Sequence, residues 1–176
     1  RVHGANAGDR IDLRYGELAH EDGTVNPMTG VACQIKWGQG GPGAPKVAYQ
    51  EDTYICRGGD VEHYTPRFTW HGFRYVEVKG YPGKPTLEDF EGLRLSADLR
   101  QTGYFECSNE RFNAIQQMVL WTFLSNVFSV QSDCPARERF GYGGDIVATS
   151  EAFMYNFDMA GVYEKATRDF GDAVRP

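Results

Sequence analysis

The periodicity of this chain changes once, near residue 101, and that change limits its fold more than any other feature. Up to Arg100, glycines and prolines recur so often that the runs between them are short, aromatic and β-branched, as antiparallel strands require. Beyond Gly103, Phe112, Ile115, Met118, Val119, Leu120, Trp121 and Phe123 follow helical spacing. The pattern predicts a β + α multidomain chain: an antiparallel β-sandwich over residues 1–100, then over 101–176 the opening of a helical domain too short to close by itself.

Within the first part, Gly30 to Pro45 reads as a Gly/Pro-rich loop between the strand-like runs Ala32–Trp37 and Val47–Gln50. The partial alternation of Phe73, Tyr75, Val76 and Val78 predicts a central strand over Phe73–Lys79. Tyr81–Pro85 reads as a turn, Leu87–Phe90 as one helical turn, and Leu93–Leu99 as a closing strand. In the second part Ser108 is placed to cap a helix running to about Val127, with Glu110 near its positive end. Two more helices are expected over Asp145–Asn156 and Asp158–Val174, each starting on its aspartate.

Composition excludes several functions. With 18 basic and 24 acidic residues the formal net charge is −6, which offers no cationic field for phosphates, so nucleic acid is not an expected partner. The acidity leans to the helical part, with 6 basic and 10 acidic residues from residue 101 onward against 12 and 14 before residue 101. No apolar stretch approaches the roughly 20 residues of a membrane span, so no membrane partner is expected. Cys33, Cys56, Cys107 and Cys134 are scattered with no Cys-x-x-Cys pair, which argues against a zinc site, and no cofactor is expected; three full disulfide pairings stay open, but the separation reads more as independent thiols. Starting at Arg1 and stopping at Pro176, the chain reads as an excerpt of a longer polypeptide, and its compartment is left open.

Chemistry concentrates in Ser132–Asp145, where Asp133, Arg137, Glu138, Arg139, Tyr142 and Asp145 crowd a Gly-rich connection. Pro135 stops helix continuation, while Gly141, Gly143 and Gly144 let the backbone turn sharply or a ligand approach. Carboxylates interleaved with guanidiniums and a phenol ring are what polyol recognition needs, and a carboxyl kept protonated could donate to a glycosidic oxygen. Glu138 has the reach for that role. From spacing alone, a second reading stands beside it: Arg137, Glu138 and Arg139 as surface ion pairs, and Asp145 as a helix cap.

The run Asp133-Cys134-Pro135-Ala136-Arg137-Glu138-Arg139-Phe140-Gly141-Tyr142-Gly143-Gly144-Asp145 resembles a signature of the bacterial α-L-rhamnosidases of the inverting, six-hairpin type. It departs from that signature in lacking an acidic residue between Arg137 and Glu138, and in carrying Tyr142 where the family has Trp. Glu17–Val25 and Thr65–Val78 are similar to the concanavalin-like sandwich that precedes the catalytic barrel there, and Gly103–Asn109 to the start of its (α/α)6 barrel. The resemblance implies that Glu138 is the general acid and that Asp133, Arg137, Tyr142 and Asp145 hold rhamnose. It implies a rhamnose-containing glycoside and the remainder of the barrel as partners. The general base would lie outside this chain, leaving the isolated chain inactive.

The competing function is a non-catalytic carbohydrate-binding or structural sandwich with a docking helical tail. Trp70 and His71 would then form its platform, although aromatics beside a sandwich strand more often pack internally. Cys134 has no histidine near it in sequence, which argues against a thiol nucleophile.

Overall fold

The structure, a computed structural model, describes residues 1–26, 30 and 50–174. The expected glycine-rich loop and its flanking runs lie, except for Gly30 and Gln50, outside the described residues, as does Cys33. The chain divides into two compact units, one of Arg1–Leu93 with Ala136–Glu138, the other of Arg94–Pro135 with Arg139–Pro176.

The first unit is antiparallel β. Strand β1 (Val2–Ala5) pairs with β4 (Gly59–Glu62), and β2 (Arg10–Gly16) lies between β3 (Glu51–Ile55) and β5 (Tyr75–Lys79). Alternation along β2 sends Ile11 and Tyr15 inward and Asp12 outward, where its carboxylate accepts from Arg10 and from the Thr53 hydroxyl. Ile11 joins Val2, Ala5 and Cys56 in a small core flanked by Tyr54, Val78 and Tyr81. The expectation of a central strand at Phe73–Lys79 is corrected: among the described residues β5 pairs only with β2, and β2 is the centre. Leu87–Asp89 forms the expected single turn, a 3-10 turn, with the Asp89 carboxylate accepting from the Thr86 N–H at 2.7 Å.

Glu62 is a buried acid with a structural task. Only 3% exposed, it accepts from the Tyr54 hydroxyl at 2.6 Å and from the backbone N–H groups of Arg57 and Gly58 at 2.9 and 3.0 Å, pinning the connection between β3 and β4. The Tyr54 bond, followed by the backbone donors, holds its carboxyl below the usual glutamate range.

The second unit contains α1 (Glu110–Asn126), a tight hairpin of β6 (Val127–Phe128) and β7 (Val130–Gln131), then α2 (Gly143–Asn156) and α3 (Ala160–Ala173). Its core gathers Leu120, Phe123, Val127, Phe153, Phe157 and Met159, with the rings of Phe123 and Phe153 stacked at 3.8 Å. Phe112 and Trp121, also on α1, are exposed, and Arg94 lies over the Trp121 ring at 5.1 Å. Gly103 is required where the chain approaches α2: a Cβ there would stand 1.7 Å from the Tyr155 carbonyl oxygen, and its N–H donates to Asn156 O.

Three helix starts differ from expectation. Asn109, not Ser108, caps α1, its side chain accepting from the Arg111 N–H at 3.0 Å. Helix α2 begins at Gly143, so Asp145 sits inside its first turn and is not its cap. Helix α3 begins at Ala160, with Asp158 outside it, accepting from the Ala160 N–H at 3.3 Å and paired with Arg100 at 2.8 Å. The closing strand expected at Leu93–Leu99 is absent. That segment makes single bonds, Ala97 N–H to Val127 O for one, and Ala97 and Leu99 pack on the helical core.

Candidate active-site loop

The residues between β7 and α2 are held by their own polar groups. Asp133 N–H donates to Phe140 O at 3.1 Å, and Phe140 N–H returns a bond to Asp133 Oδ1 at 3.0 Å. The Cys134 thiol donates to Asp133 Oδ2 at 2.9 Å. Partial burial pushes the Asp133 carboxyl upward, but the Cys134 thiol and the N–H groups of Phe140 and Cys134 outweigh it, leaving the group below the usual aspartate range. Asp133 is therefore an anion at neutral pH, and its first task is to close the loop.

Inside this closure residues 135–138 form a turn, and Arg139 adopts the left-handed region at φ 58°, a conformation that non-glycine residues take only under constraint. Ala136 is buried, Arg137 exposed and Glu138 half-buried. Tyr142 packs its ring against Phe140 at 5.6 Å and immediately precedes α2. Asp145, half-buried, is carried by the first turn of α2, the end at which a helix favours negative charge. The Asp145 carbonyl accepts from Thr149, whose hydroxyl in turn accepts from Gln131 at 2.7 Å, tying β7 to that turn.

Ala136, Arg137 and Glu138 group with the first unit, and the residues on either side with the second. Gln50 Nε2 donates to the Ala136 carbonyl at 3.4 Å, and Arg137 lies 3.7 Å from Glu17. Both members of that ion pair are more than 40% exposed, so it adds at most about 1 kcal/mol. The structure thus brings Asp133 and Tyr142 together through Phe140, places Asp145 on α2, and joins Arg137 and Glu138 to residues of the first unit. The pair of Arg137 with Glu17 is one ion pair of the kind that the surface reading expects.

Glu17, Gln50, Asp52 and His71 are polar residues that the sequence did not single out for this region. His71 is packed, its ring stacked on Tyr15 at 4.2 Å, and it is not presented as a platform. Cys56, Cys107 and Cys134 carry thiols without disulfides, and among the described residues no three His, Cys, Asp or Glu side chains gather as metal ligands.

The model of the bacterial α-L-rhamnosidase concanavalin-like domain matches residues 1–96, and that of the bacterial α-L-rhamnosidase six-hairpin glycosidase domain matches residues 100–176. The chain belongs to the bacterial α-L-rhamnosidase family. Among α-L-rhamnosidase relatives, one from Formosa agariphila is 38% identical over 139 residues, 79% of this chain and 14% of the relative. One from Streptomyces avermitilis is 34% identical over 174 residues, 98% of this chain and 15% of the relative. The chain therefore spans about one seventh of the length of these α-L-rhamnosidases. The solved α-L-rhamnosidase of Dictyoglumus thermophilum superposes with a TM-score of 0.82 at 41% identity, covering 99% of this chain and 18% of that one. The Streptomyces avermitilis enzyme complexed with L-rhamnose superposes at 0.81 with 33% identity, covering 99% and 16%.

Proposed function

We propose that this chain is a segment of an α-L-rhamnosidase that hydrolyses terminal α-L-rhamnosides with inversion, and that Glu138 is its general acid. In that reaction the carboxyl proton passes to the departing glycosidic oxygen as the bond to the anomeric carbon breaks. Water attacks the opposite face of the sugar and gives its proton to a second carboxylate. The observation that carries the reading is the loop itself: a half-buried glutamate on a turn closed by Asp133 and Phe140, within a family that includes an enzyme complexed with L-rhamnose.

Asp133, Arg137, Tyr142 and Asp145 are assigned to the rhamnose subsite. Asp133 and Asp145 supply acceptors for ring hydroxyls, Arg137 supplies donors, and Tyr142 supplies a ring face. The second carboxylate belongs to barrel residues outside this chain, so the 176 residues alone do not turn over. We place the boundary between sandwich and barrel after residue 100, a few residues beyond the Leu93–Arg94 division of the compact units.

The test is Glu138→Gln in the full-length enzyme. Its kcat/KM on alkyl rhamnosides, whose leaving groups need protonation, falls by about 10²–10⁴-fold, while dinitrophenyl rhamnoside, whose leaving group does not, loses far less. Equal loss on both substrates removes the acid role.

A further inference from the structure

A buried polar chain in the first unit ends on the backbone of the segment that carries Glu138. Gln50 immediately precedes β3, where its carbonyl continues the pairing with β2, and Asp52 stands two residues on, so the alternation of extended backbone puts their side chains on one face. His71 lies against that face with Nδ1 2.8 Å from Gln50 Oε1 and Nε2 3.0 Å from Asp52 Oδ2. The side chains of His71 and Asp52 are 8% and 10% exposed, and Gln50 is buried. Tyr15 covers the imidazole by stacking and hydrogen-bonds to Asp52; burial first, then the Asp52 charge, pushes its phenol well above the ordinary tyrosine range. Tyr15 N–H also donates to Gln50 O at 2.8 Å, and a Cβ on Gly30 would meet Gln50 Cγ at 2.8 Å, so both ends of Gln50 are confined.

The remaining group of this chain is Gln50 Nε2, which donates to Ala136 O. Its direction is set from behind: with Oε1 taken by His71, the amide nitrogen is the atom left to face the turn. Satisfied polar networks in a low-dielectric setting rigidify what they touch. Resting on the assignment of Glu138 as the acid, we propose that Asp52, His71 and Gln50 are positioning residues that hold the Ala136–Glu138 segment, and thereby the Glu138 carboxyl, in the orientation for proton delivery.

Two substitutions at one position isolate the last link, both made in the full-length enzyme. Gln50→Met keeps the volume and loses both hydrogen bonds. Gln50→Glu keeps the acceptor for His71 and sets an oxygen against the Ala136 carbonyl. For each, kcat on an alkyl rhamnoside falls by about 10-fold to 100-fold, the scale at which misplaced catalytic groups are felt. The loss on dinitrophenyl rhamnoside and the change in L-rhamnose Kd both stay within about twofold. Amide hydrogen exchange across residues 136–140 accelerates in both variants. Asp52→Asn, a milder change at the far end of the chain, gives the same pattern in smaller measure, and it carries the test should the Gln50 variants not fold.

Wild-type exchange together with an unchanged leaving-group profile overturns the proposal. So does a uniform loss on both substrates with exchange unaltered, which is the mark of a merely structural role. If Glu138→Gln itself shows no leaving-group dependence, the acid assignment has failed separately. Exchange across 136–140 then decides alone whether the chain holds the segment.

Discussion

Asp133 and Phe140 close the loop on each other: the aspartate N–H donates to the phenylalanine carbonyl, and the phenylalanine N–H donates to the aspartate carboxylate. Seven positions of chain separate them, including the left-handed Arg139, so the pair holds a ring that the backbone alone would not keep. Asp133→Ala removes the charged acceptor for the Phe140 N–H and the Cys134 thiol and costs about 1–2 kcal/mol. Asp133→Asn keeps a carbonyl oxygen for Phe140 and costs about half as much. Urea unfolding of the two variants in parallel checks the order; equal losses would show that charge alone matters.

Glu62 predicts the acid limb of stability. Its folded carboxyl is held below the unfolded glutamate range, chiefly by Tyr54, so its contribution is complete above the unfolded pKa and is lost as pH falls through the lower folded pKa. Asp89, held down first by the Thr86 N–H, and Asp158, held down first by Arg100, act in the same sense. The Tm is therefore expected to be level above about pH 5 and to decline below about pH 4. Glu62→Gln lowers Tm at pH 7, and its gap from wild type narrows on acidification. A gap that stays constant from pH 7 to pH 3 contradicts the linkage.

The order of sheets and helices was legible because it depends on local period, and three helices stand where apolar spacing placed them. What failed depended on partners distant in sequence. Phe73–Lys79 shows an alternation, but its one partner among the described residues is β2, some sixty residues earlier. Leu93–Leu99 alternates too, yet its Ala97 N–H makes a single bond to Val127, where α1 passes into β6, and no ladder with another strand forms. Gly143 and Gly144 read as loop because glycine is a poor helix former, although a first turn tolerates it, and so the spacing presents Asp145 as a cap. At the candidate site the residue types of Asp133–Asp145 pointed to sugar chemistry. No local pattern, however, joins Gln50, Asp52 and His71 across 19 to 21 positions to one another, or Gln50 to Ala136 across 86.

The helical core should be most sensitive at Phe153. Its side chain is 2% exposed and stacks on Phe123, so truncation leaves a cavity between α1 and α2 that the surrounding helices refill only in part. Phe153→Ala is expected to cost about 3–5 kcal/mol, and Phe153→Leu clearly less. Chemical denaturation followed by far-UV circular dichroism at 222 nm reads the helical unit directly. A loss below about 1 kcal/mol for the alanine variant would mean that the stack does not hold the helices.

Self-association follows from the faces this unit leaves open. Phe112, Met118 and Trp121 on α1, and Val147, Met154 and Tyr155 on α2, are exposed large side chains, in contrast to the charged surface along α3, where Lys165 pairs with Asp169 and Arg168 with Glu164. Apolar surface on this scale drives contact between copies unless something covers it. Sedimentation velocity of the 176-residue chain should show a weight-average mass that rises with concentration. Met118→Lys combined with Met154→Lys should return the mass toward the 19.8 kDa of one chain without lowering helicity, since neither residue belongs to the buried core. A wild-type chain that sediments as a monomer at every concentration refutes the expectation. A double variant that associates as before moves the contact away from these faces of α1 and α2.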